Sequence, residues 1–502
     1  MFTELDWSVL AGQPVLAALQ LLPLAAALLM LALRRASRLI YFGVLLATAE
    51  LLLALYLYFG YDPENAAMQF AERLLLPGPL DYHAAVDGVS ILFILLTALI
   101  SLLVTVYGPV RGLGPAWRLM ALIFGVEATL MVMFTTMNLM WFVVFSAIEL
   151  GLIGSVLGRW ATSPNKDLAL NRYYQFMGTG IVLLLIGTLM LGWGYTQTGG
   201  GRWAFDLSEL SQVQVEPEFQ TLVFFLLFYG FAIRTPLFPL HGWLPLVAEH
   251  GNIAVAPTLL LGLKVGVYGL LRFVFPLLPE AVMQWHLFVA AFAVAGIFYA
   301  ALMAMLQDNM RRLLAFAVVS HSSILVLGLF SLDHLAFQGS VMLSVTFGLA
   351  LATLVFMTGL VYRRTRTTLL GKLGGLFDDI PFVGIAFLVA GLSIVGMPGT
   401  PGFDAAHLVL EASIHRFGGL VTIAAALGNV LAAGFLLWAF QRAFLAPWPE
   451  NRPRPVIERI SAPELLVAGM VVFVLLGAGF HSKPWLELID RPLAGLSVLY
   501  AD

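Results

Sequence analysis

The sequence lacks cysteine altogether and contains few charged residues. Without cysteine, the chain has no disulfides, no cysteine-ligated iron–sulfur cluster and no thiol catalysis of its own. Charged residues make up 11% of the 502 residues, whereas a soluble domain has about 25%. So little charge argues against soluble enzymes, nucleic-acid-binding proteins and disordered scaffolds. With 60% apolar residues and a net charge of −3, the composition indicates an integral membrane protein without a polyanionic partner.

Long apolar runs recur along the whole chain. A helix needs about 20 mostly apolar residues to cross a bilayer, and fourteen runs meet this requirement. The sequence therefore predicts an all-α polytopic membrane protein, a single membrane domain over residues 1–502. The first run follows Glu4 and Asp6 rather than basic residues, so it is expected to be a retained helix and not a signal peptide. The runs, numbered spans 1 to 14, cover approximately residues 15–33, 38–60, 86–109, 116–135, 138–158, 172–195, 219–240, 253–275, 283–305, 311–330, 336–362, 380–415, 418–442 and 463–480.

Basic residues are concentrated in alternate connections between the spans. The connections after spans 1, 3, 5, 9, 11 and 13 contain 18 of the 26 Lys and Arg residues, whereas the other connections carry acids such as Asp62, Asp81 and Glu209. Because short cytoplasmic loops are rich in Lys and Arg, these six connections are expected to face the cytoplasm of a bacterial inner membrane. Both termini are then expected on the non-cytoplasmic side, as an even number of spans requires.

Two spans carry proline and glycine in their middles. Span 7 contains Pro236 and Pro239, with Pro245 shortly after it, and span 12 contains the sequence Gly-Met-Pro-Gly-Thr-Pro-Gly at 396–402. Proline removes a backbone donor and clashes with the preceding turn, so both helices are expected to break. Breaks at membrane depth commonly mark ion pathways. The alternative is a proline kink that serves packing alone.

The two breaks lie five spans apart, and an odd offset inverts the direction in which a helix crosses the membrane. This pattern predicts two inverted five-helix repeats, spans 4–8 (residues 116–275) and spans 9–13 (residues 283–442), each with one broken helix. Spans 1–3 (residues 1–110) precede the repeats, and span 14 (residues 463–480) follows them.

Ionisable residues inside spans are rare, and each is a functional hypothesis by default. Lys264 is the strongest, because Gly262 and Gly266 on either side of it admit close helix approach or water. No catalytic, cofactor-binding or metal-binding residue is predicted. The candidate proton pathway contains Lys264, Glu149, Arg234, Glu127, His321, Asp404 and His407.

Each of the other ionisable residues also has a structural interpretation. Glu127 and Glu149 could neutralise an internal cation, and His321 could be a hydrogen-bonded core histidine. Arg272, near the end of span 8, is expected to extend its side chain to the membrane interface.

Five motifs occur in order along the chain. They are YHAAVDGVS at 82–90, PLFPLHGWLP at 236–245, LGLKVGVYGLLRF at 261–273, NMRRLLAFAVVSH at 309–321 and GMPGT at 396–400. Together they resemble the antiporter-like proton-translocating subunits of respiratory complex I. The M-type (ND4-like) subunits, in a family shared with Mrp antiporters, are the nearest match. The resemblance covers roughly residues 80–480.

The resemblance implies that electron transfer takes place in other subunits and drives proton movement in this one. No cofactor is then expected in this chain, and NADH, FMN, Fe–S clusters and quinone are expected in partner subunits. The implied partners are homologous antiporter-like subunits, small membrane subunits and the lipid bilayer, and not nucleic acid.

Several of the family's functional residues differ in this sequence. The family's helix-8 Lys is kept as Lys264, but its helix-7 Lys falls on Arg234, which is effectively never deprotonated. Counting without gaps places the helix-5 Glu on Ala147, two residues before Glu149 and about 200° away around a regular helix. The helix-11 His falls on Phe347.

Three functions remain open from the sequence. In the first, the chain conducts protons, with Lys264 central and Glu149 and Arg234 as the modulating pair. Asp404 or His407, which flank the family's helix-12 Glu position, then provide the exit. In the second, the same fold supplies protons to an inorganic-carbon uptake complex or an Mrp-type cation/proton antiporter. In the third, the chain is a structural paralogue with an inactive channel.

Overall fold

The computed structural model describes residues 14–35, 38–74, 80–212, 216–450 and 453–501. Glu4 and Asp6, on which the interpretation of span 1 as a retained helix depends, lie outside the described residues. Within the described ranges, twelve helices are long and apolar enough to cross a membrane. They are Val15–Ala32, Leu39–Gly60, Gly88–Val110, Ala116–Thr135, Leu139–Arg159 and Lys166–Tyr195 (spans 1 to 6), Ala256–Gly269 with its continuation to Leu277 (span 8), Pro279–Met305, Met310–Leu329 and His334–Thr365 (spans 9 to 11), and Gly419–Phe440 and Ala462–Phe480 (spans 13 and 14).

Spans 7 and 12 are each interrupted at the proline-containing sequence. Span 7 consists of Pro217–Arg234 and Leu244–His250, and span 12 of Pro381–Val395 and Pro401–Phe417. The all-helical membrane architecture is thereby confirmed. The total of fourteen spans, the inverted repeats and the borders between them stay predictions.

Two elements on the chain were not predicted from the sequence. Strands β1 (Gln69–Leu74) and β2 (Tyr82–Val86) form an antiparallel hairpin between spans 2 and 3. An amphipathic helix, Lys483–Ser497, follows span 14 and packs its apolar side against spans 3 and 11. A Cβ on Gly88, the first residue of span 3, would overlap the Leu488 carbonyl oxygen, so a residue without a side chain permits this docking.

The most buried part of the bundle surrounds span 8. In the apolar stretch of span 8, 100% of the residues are buried. The share is 94% in spans 10 and 11, but only 28% in spans 2, 13 and 14. The centre of the fold is therefore formed by spans 8, 10 and 11, and the outer spans present their apolar side chains to the exterior, as lipid requires.

Candidate proton pathway

Lys264 lies on span 8 at the centre of the bundle and is 7% exposed. The glycines on either side of it let two other spans approach. A Cβ on Gly262 would overlap the carboxylate of Glu149 on span 5, and a Cβ on Gly266 would lie 2.7 Å from the Phe231 carbonyl oxygen on span 7. The glycines therefore bring polar groups from spans 5 and 7 to the helix that carries the amine.

One aromatic ring contacts both Lys264 and the buried histidine of span 10. Lys264 Nζ lies 5.0 Å from the centroid of the Phe347 ring. The imidazole of His321 stacks on the same ring, with centroids 4.9 Å apart and planes inclined by 5°. A benzene ring stabilises an ammonium group through its quadrupole but neither donates nor accepts a proton. Phe347 therefore connects these residues by packing and provides no proton step.

His321 binds a backbone carbonyl that the break in span 12 leaves free. In a continuous helix, the carbonyl of Ile394 would accept a hydrogen bond from residue 398, which is a proline and has no N–H. His321 Nε2 lies 3.0 Å from this oxygen, and Nδ1 lies 3.2 Å from the Ala317 carbonyl oxygen. A neutral imidazole can donate to one of the two carbonyls and an imidazolium to both. Both ring nitrogens of His321 therefore face carbonyl oxygens, whichever of them carries the proton.

Glu149 and Arg234 form a buried ion pair between spans 5 and 7. Arg234 Nη2 donates to Glu149 Oε2, and each side chain is 3% exposed. Arg234 is the last residue of the first half of span 7, so the pair lies at the break.

The two candidate positions on span 5 differ in their burial. Ala147 is exposed and Glu149 is buried. Glu149 contacts Arg234 and Gly262 on other spans. These contacts show the orientation of the helix, and they could not be predicted from the spacing of residues along the chain.

A second group of polar side chains continues along span 8 beyond Lys264. Tyr268 and Arg272 follow at intervals of four residues, which is close to one helical turn. Arg272 Nη2 lies 2.7 Å from Asp87 Oδ1 and 3.0 Å from Ser90 Oγ, and the Tyr268 hydroxyl lies 3.0 Å from the same Ser90 oxygen. The expectation that Arg272 extends to the interface is wrong, because it is 6% exposed and ion-paired. Its partner on span 3 could not be found from spacing along span 8.

The same group borders a cavity that is open to the exterior. Asp87, Tyr268 and Arg272 line a cavity of about 450 Å³, together with residues of the C-terminal amphipathic helix such as Arg491. The polar side chains on span 8 thus run from the central amine to a cavity beside the beginning of span 3.

No hydrogen bond or ion pair in the described part of the chain links Lys264 to any of the six other predicted pathway residues, and three of them lie apart from the central group. Asp404 is partly buried in the first turn of Pro401–Phe417, and the side chain of His407 is 69% exposed, 3.8 Å from Glu411. Glu127 is fully buried on span 4 and interacts electrostatically with Glu50 of span 2. Sequence analysis missed Glu50, although a carboxyl in the middle of an apolar run is a signal that could have identified it.

The connection between spans 6 and 7 is joined to the hairpin by a charged contact. His83 Nδ1 on β2 lies 2.7 Å from Asp206 Oδ2, and the backbone N–H of Ser208 donates to Asp206 at 2.9 Å. Burial by itself raises the pKa of Asp206, but the hydrogen bonds from His83 and Ser208 and the positive charge of protonated His83 outweigh it and lower the pKa below its usual value. This contact ties together two connections on the same side of the bundle.

The part of the chain that the structure describes contains no group of three or more His, Cys, Asp or Glu side chains able to hold a metal ion.

The family described as NADH:quinone oxidoreductase/Mrp antiporter, TM, matches residues 136–432, more than half of the chain. The chain belongs to this family. The matched segment contains Lys264, Glu149, Arg234 and His321.

Relatives match nearly the whole chain. It is 28% identical over 488 residues to NADH-ubiquinone oxidoreductase chain 4 of Marchantia polymorpha, with 96% of each protein covered. It is also 28% identical over 509 residues to NADH-quinone oxidoreductase subunit M of Rhodobacter capsulatus, again with 96% of each covered. The resemblance to M-type subunits of complex I is thereby confirmed.

Solved structures show the same fold. A chain of respiratory complex I from Thermus thermophilus with bound NADH has a TM-score of 0.85 and 27% identity, covering 97% of this chain and 100% of that chain. A chain of the Mrp complex from Dietzia sp. DQ12-45-1b also has a TM-score of 0.85, at 19% identity and with 97% and 99% covered. The second likeness is one of fold alone.

Proposed function

We propose that this chain is a proton-translocating, antiporter-like membrane subunit of a complex I-type NADH:quinone oxidoreductase in a bacterial inner membrane. The observation that carries the proposal is Lys264, a buried amine on the most buried span of a chain that belongs to this family. Burial disfavours the charged form of an amine. Small changes in the surrounding charge can therefore make such a group release or rebind a proton.

The ion pair between Glu149 and Arg234 sets the electrostatic environment of this amine. Arginine keeps its proton under all physiological conditions. The pair therefore acts on Lys264 through the movement of its charges and not through a change in the protonation of Arg234. The contact of Glu149 with Gly262 places the carboxylate beside the helix that carries Lys264. A displacement of the carboxylate towards or away from Arg234 changes the potential at Lys264.

From Lys264, two routes lead outwards in this proposal. The first leads towards His321 at the break in span 12, but Phe347 provides no proton step between it and the amine. Tyr268 offers a hydroxyl that leads through Ser90 to the Asp87–Arg272 pair and its cavity. We favour the second route as the exit.

Asp404 and His407 form the alternative exit, at the outer surface of span 12. The high exposure of His407 means that this exit requires a neighbouring subunit to cover it. Glu127 is assigned to a separate group, which is described below.

The remaining components are assigned by analogy with the relatives. The partners are homologous antiporter-like subunits and small membrane subunits, and NADH, FMN, Fe–S clusters and quinone belong to other subunits of the complex. The distribution of Lys and Arg supports a topology with both termini on the non-cytoplasmic side. Residues 116–275 and 283–442 are proposed as the two inverted repeats.

A structural paralogue with an inactive channel is the second candidate. The position of Phe347 favours it, because a ring without a proton-binding atom contacts both Lys264 and His321.

Replacing Lys264 separates the two candidates. Lys264→Met removes the amine and keeps an unbranched side chain, and Lys166→Met at the start of span 6 is the matched control. The measurement is proton translocation per NADH oxidised, in vesicles that contain the assembled complex. We expect a reduced ratio for Lys264→Met at normal assembly and an unchanged ratio for the control. An unchanged ratio in both variants would reject the conducting function and favour the structural paralogue.

A further inference from the structure

Glu50 and Glu127 are carboxyl groups in the middle of two spans, outside the group around Lys264. Glu50 is the twelfth residue of Leu39–Gly60, and Glu127 is the twelfth residue of Ala116–Thr135. They are 1% and 0% exposed. At this depth, neither side chain can reach water at an end of its helix, as carboxylates near membrane interfaces do.

The packing of spans 2 and 4 places these carboxyls at the same level. The two spans are separated by one span and therefore cross in the same direction. Met120 Sδ fills the space that a Cβ on Gly43 would occupy, so Gly43 and Met120 are opposite each other. Glu50 and Glu127 each follow seven residues later, which is two turns, or about 10 Å along either axis. The electrostatic interaction between the two carboxyls agrees with this geometry.

The described residues bring no positive group into contact with the pair. Apart from the Ser101 hydroxyl beside Glu127, no hydrogen-bonding group in the described part of the chain reaches the four carboxyl oxygens. The polar side chain that faces Glu127 from span 3 is Ser101, and the titratable group that faces it is Glu50. The side chains that spans 1 and 3 bring to the adjacent core are Ala26, Ala27, Met30 and Leu102. Two unpaired carboxylates in such surroundings would carry a large desolvation and repulsion cost.

We propose that Glu50 and Glu127 form a proton-binding carboxyl pair that holds at least one shared proton. One proton converts the repulsion between two carboxylates into a hydrogen bond between an acid and a carboxylate, and a second proton makes the pair neutral. This site is independent of the proposed route through Lys264. Its ligand is a proton, and a sodium ion is the competing occupant that the experiment must exclude.

Infrared spectroscopy of the assembled complex tests the proposal, because a protonated carboxyl has a carbonyl stretching band that shifts on exchange into D₂O. We expect Glu50→Gln and Glu127→Gln each to remove or shift such a band relative to the wild type. Glu411→Gln is the matched control, since it makes the same substitution at a side chain that is 45% exposed and lies outside the pair, and it should leave the band unchanged. Both variants should assemble at wild-type levels, because an amide is a close neutral substitute for a carboxylic acid.

Three results would overturn the proposal. Spectra of both variants that are identical to the wild type would mean that the carboxyls are ionised. Loss of assembly in both Gln variants would mean that negative charge is required. A band in the wild type that disappears when Na⁺ is added at constant pH would assign the site to the metal ion. The Lys264→Met variant should leave the band unchanged, so failure of the conducting function would not affect this result.

Discussion

Replacing Gly262 with alanine tests whether the Glu149–Arg234 pair must keep its position beside span 8. The new Cβ would overlap Glu149 Oε1 and lie 3.0 Å from Ile153 Cδ1. To restore ordinary van der Waals contact, the carboxylate must retreat by about 1 Å. Because both partners are 3% exposed, no solvent compensates for a change in the contact between Glu149 and Arg234.

The size of the effect follows from the burial of the pair. Removing one partner of a buried ion pair costs about 3–5 kcal/mol, and a displaced partner should cost about 1–3 kcal/mol on the same basis. Alanine is favoured over glycine inside a helix by about 1 kcal/mol, which offsets part of this loss. We expect Gly262→Ala to lower the thermal stability of the subunit. Each 1.4 kcal/mol by which the barrier to proton transfer rises should lower the proton flux about tenfold.

The control adds the same methyl group to span 5. A Cβ on Gly151 would meet no heavy atom within 4 Å, so Gly151→Ala changes helix propensity without touching the pair. Stability is measured by thermal unfolding of the assembled complex, and flux by acidification of vesicles during NADH oxidation. Wild-type flux and stability in Gly262→Ala would refute the argument that the position of Glu149 matters.

Three further predictions concern charge and proton steps. Arg234→Lys should preserve assembly and the contact with Glu149, and it should maintain or increase proton flux, because lysine can release a proton and arginine cannot. Phe347→His should increase flux, since it adds a proton-binding group at the ring that contacts the central amine. Asp206→Asn should lower the thermal midpoint at neutral pH. Because the pKa of Asp206 is lower in the folded than in the unfolded state, its carboxylate contributes its full stabilisation above the unfolded pKa of about 3.9. This contribution is lost as the pH falls through the lower pKa of the folded state. The thermal midpoints of the wild type and of Asp206→Asn should therefore converge only below about pH 4. Replacement of His83 should reduce the same difference.

These predictions fail under distinct outcomes. Abolished flux in an assembled Arg234→Lys complex would mean that the guanidinium group of arginine, and not its charge alone, is required. Unchanged flux in Phe347→His would mean that the ring does not interrupt a conducting route. A midpoint difference for Asp206→Asn that vanishes near pH 6 would contradict the assignment of the titrating group.

The fold was largely predictable because membrane insertion depends on local properties of the chain. Twenty apolar residues in a row cross a bilayer whatever their neighbours are, and a proline interrupts its own helix. The amphipathic helix Lys483–Ser497 and the hairpin strands were missed because both depend on docking against other elements. Gly88 illustrates this dependence, because the need for glycine at this position becomes apparent only when Leu488 packs against it.

By itself, the sequence determined the membrane class, the interrupted spans and the family, because apolar length, proline and motif order can all be read along the chain. Tertiary structure alone decided which charges meet. Glu149 contacts Arg234 and Asp87 contacts Arg272, and Glu50 interacts electrostatically with Glu127, each pair across different helices. Rotation of each helix about its axis selects these partners, and that rotation results from side-chain packing between spans.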